Sequence, residues 1–219
     1  MATIAAPTRG EQRVVFQGVS RETYLGLLQA RGEGVVRLTY HHGVMEITTL
    51  SHLHERLSRF LHRFVVELTQ ELGLELASAG STTMHAEQLQ SGAEADESYY
   101  IRHEEMVRER EEYDPAVDPP PDLTIEINLS SISSRRMLVY AELGVPEVWR
   151  YDGEHLGFQS LGEDGKYHDI ERSRSFPMLR SADLERFLKR WGTIGENALA
   201  AEFREWFRQS LPPRGAPGD

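Results

Sequence analysis

Four carboxylates stand where strands and a helix start could gather them: Asp96, Glu126, Asp122 and Glu55. Glu126 lies in the run Leu123-Thr124-Ile125-Glu126-Ile127, whose apolar and polar residues alternate with the period of a strand buried on one face. Its side chain therefore points away from the two isoleucines. A mid-strand carboxylate with apolar neighbours is costly to bury unless it is paired or bound to a metal. The competing reading is a Glu126 that faces solvent on a one-sided sheet. Asp96 opens a second strand-like run that continues to Ile101. Asp122 follows Pro120 and Pro121 and reads as a strand-entry or turn residue rather than a ligand. Carboxylates that converge on one point cannot all stay ionised without a counter-charge. A divalent cation supplies it, and hard oxygen donors in a chain without cysteine point to Mg²⁺ or Mn²⁺ rather than zinc.

The histidines carry less. His52 and His54 are one residue apart, which is not the i, i+4 spacing of a helical metal pair. His54 reads as a capping or loop residue, with a place in a site as the alternative. His41-His42 reads as turn chemistry. No Gly-x-Ser-x-Gly, Gly-rich phosphate loop or Cys/His cluster occurs, so triad hydrolase, nucleotide-binding and zinc-finger readings have no support.

The elements that must position these groups centre on Pro121 to Trp149. The strand at Leu123–Ile127 is followed by Ser130 to Ser134, rich in N-cap types, then by a helix through Met137, Val139, Tyr140 and Leu143. Gly144 ends that helix and Pro146 admits a second apolar run at Val148-Trp149, giving a βαβ unit with parallel strands and a site at their ends. Before it, Arg13–Phe16 reads as a short strand, and Ser20 caps a helix that ends near Gly32 or Gly34. Val35–Tyr40 and Val44–Thr49 form a hairpin through His41-His42-Gly43. Leu53, Leu57, Phe60, Leu61, Phe64, Val65, Leu68 and Leu72 recur at helical spacing until Gly73. Arg56, Arg59 and Arg63 on that helix's other face are a solvated surface or, alternatively, a phosphate-facing stripe. Leu74–Ala79 reads as a strand, Glu87–Ala95 as a polar excursion, and Arg102–Asp114 as an exposed charged helix or loop. Leu156–Leu161 and Lys166–Ile170 form a second hairpin around Asp164-Gly165, Ser181 caps a helix to Trp191, and Glu196–Gln209 is a last amphipathic helix whose apolar side is packed on the body or, alternatively, used for a subunit contact.

At 219 residues and 39% hydrophobic, the chain can bury one sizeable core. The expected division is a flexible N-terminus (1–12), one domain (13–191), a C-terminal helix (192–211) and a disordered tail (212–219). No cysteine and no apolar run long enough to span a bilayer fit a cytoplasmic protein without disulfides. A net charge of −11 excludes non-specific adhesion to nucleic acid over the whole surface, so any such contact must use a local basic patch.

A family resemblance rests on several runs in order. These are Gly43-Val44-Met45-Glu46-Ile47, the helix start His54-Glu55, Gly80-Ser81-Thr82-Thr83, Glu94 to Tyr100, Pro121-Asp122-Leu123 through Glu126, and Tyr140 to Tyr151 with its Leu143-Gly144-Val145-Pro146-Glu147-Val148-Trp149 segment. Together they resemble the Uma2 family, restriction-endonuclease-like proteins of the PD-(D/E)XK nuclease superfamily, from about Gly18 to Leu188. The resemblance implies an α/β restriction-endonuclease-like core: a central mixed sheet flanked by helices, with an N-terminal hairpin and C-terminal helices. It also implies a metal-dependent endonuclease that hydrolyses phosphodiester bonds, in DNA. By position, Asp96 and Glu126 are the acidic metal ligands and the carbonyl of Ile127 the third. The superfamily lysine is replaced by Asn128. A lysine on the next helix in many relatives corresponds to Arg136, which can hold phosphate but cannot serve as a base. His54 and Glu55 would orient the attacking water or a second metal. By analogy the protein acts as a homodimer, because two strands need two sites. The alternative is a catalytically degenerate nuclease-fold protein that binds or interacts.

Overall fold

The structure is a computed structural model that describes residues 12–31, 36–81, 83–86, 90–111, 113–114, 117–129 and 134–211. In chain order its elements are β1 (Arg13–Gln17), α1 (Arg21–Arg31), β2 (Val36–His41), β3 (Val44–Thr49), α2 (His52–Leu72), β4 (Ala77–Ser78), β5 (Thr83–Ala86), β6 (Ser91–Glu94), β7 (Glu97–Tyr100), α3 (Glu104–Val107), β8 (Leu123–Ile127), α4 (Ser134–Leu143), β9 (Glu147–Tyr151), β10 (Leu156–Leu161), β11 (Tyr167–Ile170), α5 (Ser181–Leu188) and α6 (Glu196–Ser210). The readings of residues 1–11, of the Gly32 and Gly34 helix end, of the Ser130–Ser133 cap and of the 212–219 tail fall outside the described residues.

The β8–α4–β9 unit forms as its pattern dictates. Gly144 adopts φ 77°, the left-handed conformation that lets α4 end, and β9 returns parallel to β8. The side chains of β8 alternate as expected, but all five residues are buried, so the strand is covered on both faces rather than one. Leu123, Ile125 and Ile127 enter the core under α2, while Val139, Tyr140 and Val148 form a second apolar cluster on the other side. α2 begins at Ser51, whose hydroxyl accepts the amide of His54, and stops at Gly73 with φ 68°. Its apolar stripe is buried except at its two ends, where Leu72 is partly buried and Leu53 is 45% exposed. Phe60 and Phe64 pack edge to face, and Phe64 meets Phe203 of α6 at 4.4 Å between ring centres. The apolar face of α6 (Leu199, Ala200, Phe203 and Phe207) is thus buried against the body.

The sheet is not single. A mixed six-stranded sheet runs β11-β10-β9-β8-β7-β4, and a second, five-stranded antiparallel sheet runs β1-β3-β2-β6-β5. The expected N-terminal hairpin, β2–β3, is the middle of this second sheet. The segment read as a polar excursion contributes β6, which is buried throughout despite its sequence Ser-Gly-Ala-Glu. Its burial rests on close approach rather than apolar bulk: a Cβ on Gly92 would lie 2.4 Å from the Tyr24 hydroxyl. Alternation could not reveal such a strand. Within Leu74–Ala79 the strand itself is Ala77–Ser78, and the Ala79 amide adds a bond to the Ser98 carbonyl at 2.9 Å. α5 is capped at Arg180, whose amide donates to Asp183 at 3.1 Å, and it ends at Leu188 rather than Trp191.

The chain passes from the second sheet to the first between β6 and β7, through Ala95 and Asp96 alone. This crossover places the candidate site at the seam between the sheets.

Candidate active site

β7 pairs with β8 only as far as Glu97 opposite Ile125. Beyond that point β8 has lost its neighbour on this side, and an amide at Ile127 would be left without a strand partner. The side chain of Asp96 takes the place of the strand: its Oδ2 accepts the Ile127 N–H at 2.7 Å. From the other direction, the first turn of α2 brings His54 Nε2 to 2.9 Å from Asp96 Oδ1. Asp96 and His54 are both buried.

Glu126 points to the opposite face of β8 from Ile125 and Ile127, as the alternation requires, and it is buried rather than solvent-facing. α4 covers it. Arg136 Nη1 donates to Glu126 Oε2 at 2.8 Å and lies 3.8 Å from Asp96 Oδ1. One turn later on the same helix face, the Tyr140 hydroxyl donates to Glu126 Oε1. Arg136 Nε reaches Thr39 of β2 at 3.4 Å, which ties the group to the second sheet. Two carboxylates thus converge on one nitrogen, and a guanidinium of the chain supplies the counter-charge that such a pair requires.

Burial pushes the Asp96 carboxyl up, but His54, Arg136 and the Ile127 amide outweigh it and leave it below the ordinary range. For Glu126, burial prevails. Arg136 and Tyr140 pull its carboxyl down, the Asp96 charge pushes it further up, and the balance lies above the usual value. Burial and the Glu126 charge raise the Tyr140 phenol well above its ordinary range. The site therefore holds two buried carboxyls shifted in opposite directions, with Arg136 as the cation they share.

The other candidates separate from this group. Asp122 sits at the far end of β8. It accepts the amides of Ile101, Arg102 and His103 at 2.7, 2.8 and 3.1 Å, so it is a turn residue. Glu55 is half-buried in the turn of α2 that carries His54, and its charge bears on Glu97. Arg56 and Arg63 bind Glu196 and Asn197 at the start of α6, at 2.8 and 2.7 Å, and Arg59 reaches Glu97 at 3.3 Å. Their stripe is thus engaged within the chain. Three residues near the site were not singled out as site residues in the sequence. Tyr140 was legible in principle from its i+4 spacing to Arg136. Thr39 carries no chemical signal. Glu46, cross-strand neighbour of Thr39, is a buried carboxylate 2.8 Å from Arg13 and 3.9 Å from Arg135, and its charge in the apolar run Val44–Ile47 was the available sign.

Residues 22–194 match a family model described as putative restriction endonuclease, and they include every residue of the site above. The chain belongs to the Uma2 family. No curated protein matches it. The mixed α/β architecture of two sheets and six helices is consistent with the restriction-endonuclease-like fold of this Uma2 protein. Among the described residues no helix is long and apolar enough to cross a membrane.

Proposed function

We propose that this Uma2 protein is a cytoplasmic, metal-dependent endonuclease that hydrolyses phosphodiester bonds in DNA, working as a homodimer. The observation that carries the reading is the convergence of Asp96 and Glu126 on the single position of Arg136 Nη1. Both donors are carboxylate oxygens, and the Ile127 carbonyl follows Glu126 in the chain, so the donor set fits a hard divalent ion, Mg²⁺ or Mn²⁺. Such an ion would polarise the scissile phosphate and acidify the attacking water.

The chain's own residues then have distinct tasks. Asp96 and Glu126 hold the ion, and the Ile127 amide and Tyr140 hydroxyl keep their other oxygens oriented. Arg136, relieved of its role as counter-charge, faces the phosphate oxygens and neutralises charge as it develops; a guanidinium stays protonated and takes no proton from water. His54, at hydrogen-bonding distance from Asp96, positions the water together with Glu55. Asn128 in place of a lysine leaves no amine base after the second acid. Residues 13–191 form the catalytic unit, to which α6 is joined.

The test is cleavage of plasmid DNA in Mg²⁺ or Mn²⁺ by the wild type and by Glu126→Ala. Loss of cleavage in the variant supports the reading, and equal cleavage by both proteins removes it.

One observation favours a second reading. Arg136 already neutralises both carboxylates in a site closed to solvent, as in a nuclease fold that has kept its shape for binding and lost its chemistry. Calorimetric titration separates the two. Divalent binding lost in Asp96→Ala favours the enzyme, and absence of binding favours the interaction protein.

A further inference from the structure

At the tip of the β2–β3 hairpin the chain turns through His42 and Gly43, at φ 45° and 84°. Positive φ at both central residues is the type I′ turn that matches the twist of paired strands. Asparagine or glycine is the usual residue at the first of these positions, and a histidine there adopts a conformation that few side chains favour. The result is that two consecutive imidazoles, which in a strand would point to opposite faces, reach the same point. His41 Nε2 and His42 Nε2 each lie 3.0 Å from one oxygen, Oε1 of Glu142 in the last turn of α4. All three ligand atoms fall within 4.8 Å of one another.

The surroundings hold each of them. The amide of His42 donates to the Gln90 carbonyl at 3.1 Å. His41 is paired in register with Ser91 of β6, and the Ser91 hydroxyl bonds the other oxygen of Glu142. Glu142 is thus oriented by a neighbour that is not itself a ligand, the arrangement by which metal-binding carboxylates are fixed. His42 faces solvent and Glu142 is partly exposed, so one side of the group is open to water.

We infer that His41, His42 and Glu142 bind a transition-metal ion, Zn²⁺, with water as the remaining ligand. Two imidazoles and one carboxylate are the donors of a borderline cation and not of Mg²⁺. Bonds of about 2.0–2.1 Å in a tetrahedral site put ligand atoms about 3.3 Å apart. The two 3.0 Å separations to Glu142 need to widen by about 0.3 Å, and the two imidazole nitrogens, within 4.8 Å of each other, must settle at the same spacing, with both rings adopting the tautomer that carries hydrogen on Nδ1. The ion replaces the hydrogen bonds that the imidazoles make to Glu142. It clips the hairpin of the second sheet to α4, the helix that carries Arg136 and Tyr140. Glu142 follows Arg136 by six residues, about 9 Å along the helix axis, so this position is distinct from that of Asp96 and Glu126.

The test is calorimetric titration of the untagged, chelator-stripped full chain with ZnCl₂, repeated in millimolar Mg²⁺. One equivalent should bind, Mg²⁺ should not displace it, and His42→Ala and Glu142→Gln should each weaken it at least tenfold. His42 is exposed and Glu142→Gln keeps the side chain's shape, so both variants should retain the wild-type circular dichroism spectrum. Absence of Zn²⁺ binding by the wild type overturns the inference. So does binding that survives both substitutions unchanged, and so does displacement of Zn²⁺ by Mg²⁺. None of these outcomes depends on DNA cleavage.

Discussion

Arg136→Ala separates the two roles of the buried guanidinium. In the wild type, Arg136 stands 2.8 Å from Glu126 and 3.8 Å from Asp96, with all three side chains nearly inaccessible to water. Removing it leaves two buried acids facing each other without the guanidinium they share, and only Asp96 keeps a second basic partner, His54. Breaking a buried ion pair from one side costs about 3–5 kcal/mol. For a chain of this length each kcal/mol moves the melting temperature by about 2–4 °C, so the variant should melt roughly 10 °C lower in a chelating buffer. A divalent ion that replaces the lost charge returns part of this: at a hundredfold excess over Kd the gain is about 2.7 kcal/mol. Thermal denaturation followed by circular dichroism, with EDTA and then with Mg²⁺ or Mn²⁺, gives four melting temperatures. The expected pattern is a strongly destabilised variant that the ion rescues by several degrees, and a wild type that gains less, because Arg136 competes for the same carboxylates. Two results would refute the reasoning: a variant that melts with the wild type in EDTA, or equal metal-induced shifts in both proteins.

Three further perturbations have defined outcomes. Tyr140→Phe removes the hydroxyl that serves Glu126 Oε1 without changing shape, and it should cost about 1–3 kcal/mol in urea unfolding with an unaltered far-ultraviolet spectrum. Phe203→Ala empties a place between Phe64, Phe187 and Trp206, and about 3–5 kcal/mol should be lost in the same assay; a change under 1 kcal/mol would mean that α6 does not share the main core. Asp152 accepts the amides of His155 and Glu154 at 2.7 and 2.8 Å, and these bonds, the His155 amide foremost, hold its carboxyl below the ordinary value of 3.8. A lowered folded value stabilises the protein above pH 3.8, and that stabilisation is lost as the pH falls through the folded value. Asp152→Ala should therefore cost about 1 kcal/mol at neutral pH, with the gap to wild type closing below pH 3.8.

Much of this was legible from residue types. The alternation around Glu126 placed its side chain opposite the isoleucines, and Gly144 and Gly73 marked helix ends that do adopt positive φ. The hairpins at His42-Gly43 and Asp164-Gly165 followed from turn chemistry. Other features had no local sign. β6 is a strand because Gly92 admits Tyr24 and because β2 offers an edge, and neither fact resides in Ser91–Glu94 itself. Asp96 read as part of a strand, yet it lies in the crossover where β7 pairing fails, and its partner is an amide from another segment. Arg136 entered as a residue for phosphate. That it occupies the charge-neutralising position between the acids depends on how α4 crosses β8, which spacing along one element does not encode. His41 and His42 read as a turn; His42 is in it, whereas His41 ends β2, and their meeting with Glu142 is a matter of the distant helix.

The two-residue passage at Ala95-Asp96 puts one acid of the site inside the connection between the two sheets. Glu126 belongs to one sheet, and Arg136 reaches toward Thr39 on the other. Because Asp96 also accepts the Ile127 amide, both acids are moored to β8, and their spacing is fixed within one sheet. The seam is therefore a bracket: Arg136 ties the acid pair on that strand to Thr39 of the neighbouring sheet.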